Sequence, residues 1–258
     1  MSLYLKYIKL HFKKMLQYKV SFILSFISQI FIFFTYYFTI IALFDKFSNV
    51  NGFDVYDILL TFSIIQFGFS VNEVLARGLD QFDKLMVQGE YDRILLRPRK
   101  ILLQVLGYEI EFTKICKVLQ AIIILIVSVL NVDIVWSIDK IITLVLMLIS
   151  SCLIFFGIFL ISASYCFITL EGLECRNLIA DGGKHMAQYP IGIFSRGFKF
   201  FFTFIIPYAF VNYYPLLYLL GRSDNILFMY SPLLVVIFLI PCFISFKLLS
   251  RKYTSAGS

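Results

Sequence analysis

From Ile141 to Leu170 the chain runs for thirty residues without a charge. As one helix this stretch measures about 45 Å, against a hydrocarbon core of about 30 Å in a typical bilayer. A helix that is apolar all round is either buried in a large protein or crosses a membrane. A chain of 258 residues offers little room for the first option, so the run predicts a span that tilts or projects into the cytosol. Residues 20–44 form a second uncharged run, and hydrophobic stretches with one or two charges toward their ends cover 55–74, about 112–130 and 231–249. Hydrophobic residues make up 60% of the chain and charged ones only 15%, where soluble domains carry about 25%. The fold class expected is an all-α polytopic membrane protein with six transmembrane helices and one membrane domain over residues 1–258. No sizeable soluble domain fits beside six crossings, so any work driven by ATP must come from another chain.

The net charge of +7 does not point to nucleic acid, which requires a basic face with interleaved aromatics on a soluble module. Topology accounts for it better. Residues 1–19 place Leu5, Ile8, Phe12, Met15 and Leu16 on one face and Lys6, Lys9, Lys13 and Lys14 largely on the other, which predicts a helix lying in the interface. A polar turn around Lys46, Asn49 and Asn51 follows the first span, and a second short outer loop spans residues 131–140. A polar stretch with Glu174, Arg176, Asp181, Lys184 and His185 precedes a fifth span that begins at Tyr189-Pro190. Arg196 and Lys199 then fall in the inner half of that span. Segment 208–230 is apolar and rich in Tyr but broken by Pro and Gly, as short helices dipping back from the outer surface would be. On this scheme twenty of the 23 Lys and Arg residues lie on inner segments, which places both termini inside.

Enzyme chemistry finds little support. Asp181-Gly182-Gly183-Lys184-His185 lacks the first glycine and the Ser or Thr of a phosphate-binding loop. His11 and His185 belong to no metal-ligand cluster and to no nucleophile–base pair, so no catalytic and no metal-binding residue is expected. The five cysteines, Cys175 among them, are widely spaced without a CxxC pair and are expected to be small core residues.

One polar segment, residues 75–104, interrupts the hydrophobic pattern after the second span. Its centre reads LARGLDQFDKLMVQGEYDRILLRPRK. Leu75, Leu79, Phe82 and Met86 recur at helical spacing with Leu85 beside them, while Arg77, Asp80, Asp83 and Lys84 fall opposite. This predicts a short amphipathic helix. Gly89 can end it, Glu90-Tyr91-Asp92 are polar, Ile94-Leu95-Leu96 are apolar, and Pro98 interrupts helix after Arg97. Mixed charge suits a protein-docking surface, and a solvated loop on the lipid surface fits the same residues.

The whole pattern resembles the permease subunit of a type-two ABC exporter, in a subfamily of small bacterial permeases. The most specific piece is Gly89-Glu90-Tyr91-Asp92 with Leu95-Leu96-Arg97-Pro98; Tyr189-Pro190, Ile206-Pro207 and Tyr213-Tyr214-Pro215 add to it. The resemblance implies a multi-pass permease of a bacterial cell membrane, both termini cytoplasmic, with no cofactor of its own. ATP and Mg would be bound by a partner, an ATP-binding-cassette ATPase subunit, and a second permease chain, identical or related, would complete the assembly. It implies ATPase coupling through Arg77, Leu79, Asp80, Phe82, Asp83, Leu85, Met86 and Glu90. Of these, Leu79, Phe82, Leu85 and Met86 would be the seating face, or else lie on lipid or neighbouring spans. Gly89, Asp92, Arg97, Pro98, Pro190, Pro207 and Pro215 would be structural. Arg196 and Lys199 either snorkel to headgroups or face a vestibule that attracts an anionic or amphiphilic substrate. The substrate class implied is an amphiphilic, drug-like, peptide or lipid molecule moved outward. The same architecture serves a lipid-linked glycan exporter, and a non-transporting immunity or sensor subunit is the alternative from another class.

Overall fold

The computed structural model describes residues 3–46, 52–169, 177–189 and 191–253. Asn49, Asn51, Glu174, Cys175, Arg176 and Pro190 lie outside the described residues. Helix accounts for 84% of the molecule, and no strand forms among the described residues. The chain is an all-α polytopic membrane protein. Five helices are long and apolar enough to cross a bilayer, and a bent pair brings the number to six if it counts as one span.

α1 (Leu3–Gln17) buries no residue, and α2 (Lys19–Lys46) stands at the periphery. α3 (Val55–Leu75) is the central span, buried over most of its length, with apolar residues spread around it and a few buried polar ones such as Asn72 and Glu73 that meet partners inside the bundle. The polar segment follows as four short helices: α4 (Arg77–Asp80), α5 (Phe82–Val87), α6 (Glu90–Leu95) and α7 (Ile101–Tyr108). A 3-10 turn leads into α8 (Ile115–Asn131), whose one buried stripe of Cys116, Gln120, Ala121, Ile124 and Ser128 faces the bundle. α9 (Ile138–Thr169) is a single helix of 32 residues packed against α3.

α3 and α9 approach closely because both carry small residues where they meet, the device that membrane helices use in place of a hydrophobic driving force. Asn72 Nδ2 donates to the carbonyl of Cys152 at 2.8 Å across this contact. A methyl group at Gly68 would overlap the backbone carbonyl of Ser151. Gly68→Ala is therefore expected to cost about 2–3 kcal/mol by forcing the helices apart, and thermal unfolding in detergent measures it. A change below about 0.5 kcal/mol would contradict the packing described.

After α9 the chain departs from the expected course. A π-helical stretch, Asn177–Gly182, runs into α10 (Gly183–Ala187). Lys184 meets Phe69, near the α4 end of α3, whereas the Gln188 carbonyl accepts from Thr61 Oγ1 farther along it. This segment thus climbs away from α4 before Tyr189, where the fifth span was expected to begin. Gly192 then lies beside Tyr213, whose ring is 6.5 Å from Phe53 at the far end. From there α11 (Arg196–Phe200), continued by a π-helical turn to Ile205, meets α12 (Tyr208–Val211) and α13 (Tyr213–Leu219) at a 75° bend. Tyr208, just past the hinge at Pro207, packs on Phe155, which touches Phe69, and Leu216 and Leu219 return to the cluster around Phe53 and Ile58. The bent pair is a re-entrant V that opens toward the far end. Arg196 and Lys199 consequently lie on its first arm, between the far end and the hinge. They are not in the inner half of a simple span, because the climb has been completed earlier. Pro215 is buried in the second arm. α14 (Ile226–Tyr230) and a 3-10 turn lead to α15 (Val235–Ser250), which packs on α9.

Both described chain ends lie at the end that carries α4 to α7. The Tyr4 hydroxyl donates to the Leu75 carbonyl, and the Tyr253 ring sits 4.8 Å from that of Tyr91. Cys116, Cys166 and Cys242 are buried and Cys152 half-buried, in line with core packing.

Candidate functional site

The segment between α3 and α8 is broken at Gln81 rather than being one helix, and its apolar stripe is turned inward. Leu79, Phe82, Leu85 and Met86 are each at most 1% exposed. Phe82 is ringed by Tyr91, Phe167 and Phe246 at centroid distances of 5.4, 5.1 and 6.1 Å. These four side chains are the keel that fastens the segment to α9 and α15, the alternative left open for them by the sequence, and not a face open to a partner. Tyr91 is also fully buried, and burial pushes its phenol above the usual range.

The polar residues divide in the same way. Arg77 pairs with Asp80 and, at 2.8 Å, with Glu111 just before α8. Burial disfavours its charge, but the carboxylates of Asp80, Glu111 and Glu73 outweigh that and raise its pKa. Arg77 and Asp80 thus lock the segment to the start of the third span. Glu90 pairs with Arg93 at 2.8 Å near the surface, and Asp83 and Asp92 are half-buried. Gly89 adopts φ +68°, the left-handed geometry that lets α5 stop and α6 start at once. Arg97 and Pro98 lie in an exposed bend after α6.

What the segment shows to the outside is a different set of residues. Val87 is 69% and Leu96 85% exposed, with Lys84, Gln88 and Arg93 also exposed. The apolar Ile94-Leu95-Leu96 triplet was the available signal: Ile94 turns in, Leu96 turns out.

Inside the bundle, Glu73 holds Lys117 through both carboxylate oxygens at 2.7 and 3.0 Å. Beyond this pair opens a polar cavity of about 240 Å³, lined in part by Lys114, Lys117, Lys184 and Gln66. A larger apolar cleft of about 700 Å³ separates Ile179 and Met186 from Phe198 and Phe202 of the re-entrant V. Arg196 is exposed and Lys199 half-buried, and neither lines these two cavities. Lys184 is the candidate that the local sequence does not single out, since the residues around it fit an ordinary polar stretch before a span and fall short of a phosphate-binding loop.

The defining sequence pattern of the ABC-2 family transporter proteins matches residues 30–257. This chain belongs to that family. No curated protein and no solved structure matches it. As an ABC-2 family member it is a membrane transport subunit of an ABC transporter rather than the nucleotide-binding ATPase, and the family implies an ATPase partner.

Proposed function

We propose that this ABC-2 chain is the permease of a bacterial exporter, resting on a separate ATPase through the exposed side of the α5–α6 segment. The observation that carries the reading is the two-sided build of that segment. Its inner side is fastened by Phe82 and by the Arg77–Glu111 pair, while Val87, Leu96, Lys84 and Arg93 face outward. A segment held this firmly passes displacement to α9 and α15 as a rigid body, and ATP binding at the partner then biases inward-facing against outward-facing arrangements. ATP and Mg belong to that partner. The end bearing α4 to α7 is cytoplasmic in this reading, with both termini. Moving Arg196 and Lys199 toward the opposite end leaves a strong cytoplasmic excess of Lys and Arg. A second permease, the same chain or a relative, would cover the exposed outer faces of α2 and α8, where Phe31 is 70% and Leu130 77% exposed. The cargo is an amphiphile, matched to a bundle that holds both a polar cavity and an apolar cleft.

The test is an affinity pull-down from native membranes under mild extraction. An ATP-binding-cassette ATPase should co-purify with the wild-type chain. The Val87→Asp, Leu96→Asp double variant should recover at least tenfold less ATPase while unfolding at the same temperature. Absence of an ATPase from the wild-type preparation would overturn the reading and leave a receptor role to be taken up.

A further inference from the structure

The polar cavity contains a lysine that forms no ion pair among the described residues. Lys117 is matched by Glu73, and Lys114 lies 3.5 Å from Glu111. Lys184 is 8% exposed, its ammonium group stands 4.3 Å over the Phe69 ring, and no carboxylate pairs with it among the described residues. A buried lysine of this kind is ordinarily paired or hydrogen-bonded, because removing an ammonium from water is costly. Glu73, already bound to Lys117, and Asp181, three residues before Lys184, act on it only through space.

The remaining wall has the donors that an oxyanion needs. The amides of Gln66 and Gln188 border the cavity, joined by a 3.4 Å hydrogen bond from Gln188 Nε2 to Gln66 Oε1 that leaves each nitrogen an N–H to offer, whereas Gln120 Nε2 already donates to the Gln29 carbonyl and to Cys116 Sγ. His185 completes the polar side, while Ile32 and Phe62 supply an apolar one. Ammonium and amide groups converging beside apolar side chains suit a molecule with a negative head and a hydrocarbon body.

We propose that the cavity around Lys184 binds the oxyanion head of an amphiphile, a phosphate or carboxylate carried on an apolar chain. The inference rests on the permease reading, whose cargo it narrows, and it names a site that the two cations of the re-entrant V do not provide. Phe69 holds the ammonium from behind while the anion meets it from the cavity, and the Gln66 and Gln188 amides donate to the oxygens that the lysine does not reach.

Dodecyl phosphate is the probe, measured by calorimetry on the full chain purified with whatever ATPase accompanies it. It should bind at least tenfold tighter than dodecyl maltoside, which separates the charge from the chain. Inorganic phosphate should bind far more weakly, which separates an amphiphile from a free ion. Lys184→Met should lower the affinity about 10- to 100-fold, the range for losing a hydrogen bond to a charged group, while Lys184→Arg retains it and Lys199→Gln leaves it unchanged. A photoreactive alkyl phosphate on the wild-type chain covers the case in which a variant does not fold. Adducts should map to the peptides holding Ile32 and Phe62. Equal affinity for phosphate and maltoside, unchanged affinity in a folded Lys184→Met variant, or adducts scattered over the outer faces would each overturn the proposal. If an ATPase co-purifies but dodecyl phosphate does not bind, this inference alone fails. If dodecyl phosphate binds but no ATPase accompanies the chain, the site stands and the permease reading fails.

Discussion

Glu73→Gln is expected to destabilise the bundle by about 3 kcal/mol, the cost of leaving one partner of a buried ion pair uncompensated. The Glu73 side chain is 7% and that of Lys117 18% exposed, so solvent screens the pair little. Without the carboxylate, Lys117 faces a cavity that also holds Lys114 and Lys184, and like charges add to the desolvation cost. Lys117→Met in the same background should recover most of the loss, since replacing both partners by apolar groups is often neutral. Thermal or denaturant unfolding of the single and double variants in detergent makes the cycle. A single variant within 0.5 kcal/mol of wild type, or a double variant no better than the single, would show that the pair does not act as described.

Phe82→Ala should cost about 3–4 kcal/mol, the usual result of emptying a buried aromatic site. Its ring is 1% exposed and meets three other rings, two of them on α9 and α15, so the surroundings cannot collapse around the void. The same unfolding assay reads the effect, and a loss under 1 kcal/mol would mean that the segment is not fastened through this residue. A charge introduced at Phe82 would loosen the segment from the spans and lose the ATPase indirectly. Val87 and Leu96, which hold nothing in place, are the informative positions for contact with a partner.

These two residues also mark what the sequence could express. The amphipathic spacing of Leu79, Phe82 and Met86 gives the helical character of the segment, and Gly89 and Pro98 give its ends, because each signal is local. Which side the stripe faces is not local. It is decided by Phe167 and Phe246, more than eighty residues away, whose place among thirty phenylalanines nothing nearby distinguishes. The long spans were legible because an uncharged run of membrane length has few alternatives. The turn-back at Ile206-Pro207 was visible as a proline, but its depth depends on Tyr208 reaching Phe155 and Gly183. Misplacing that turn carried Arg196 and Lys199 to the wrong level. Lys184 was hidden for a related reason: its lack of a paired carboxylate is a property of the packed helices, which no local residue pattern records.

α9 is unbroken through its 32 residues, so it rises about 48 Å and outruns the hydrocarbon core by more than three turns. Its lower end carries the contacts of Phe82, and its upper part packs against the returning arm of the V. A straight rod pivoted near its base multiplies angle by length: a tilt of about 5° sweeps the far end through about 4 Å, on the scale of one helical turn. A modest rotation at the membrane surface thus becomes, without any bending, a shift comparable to the width of a methylene chain at the opposite face.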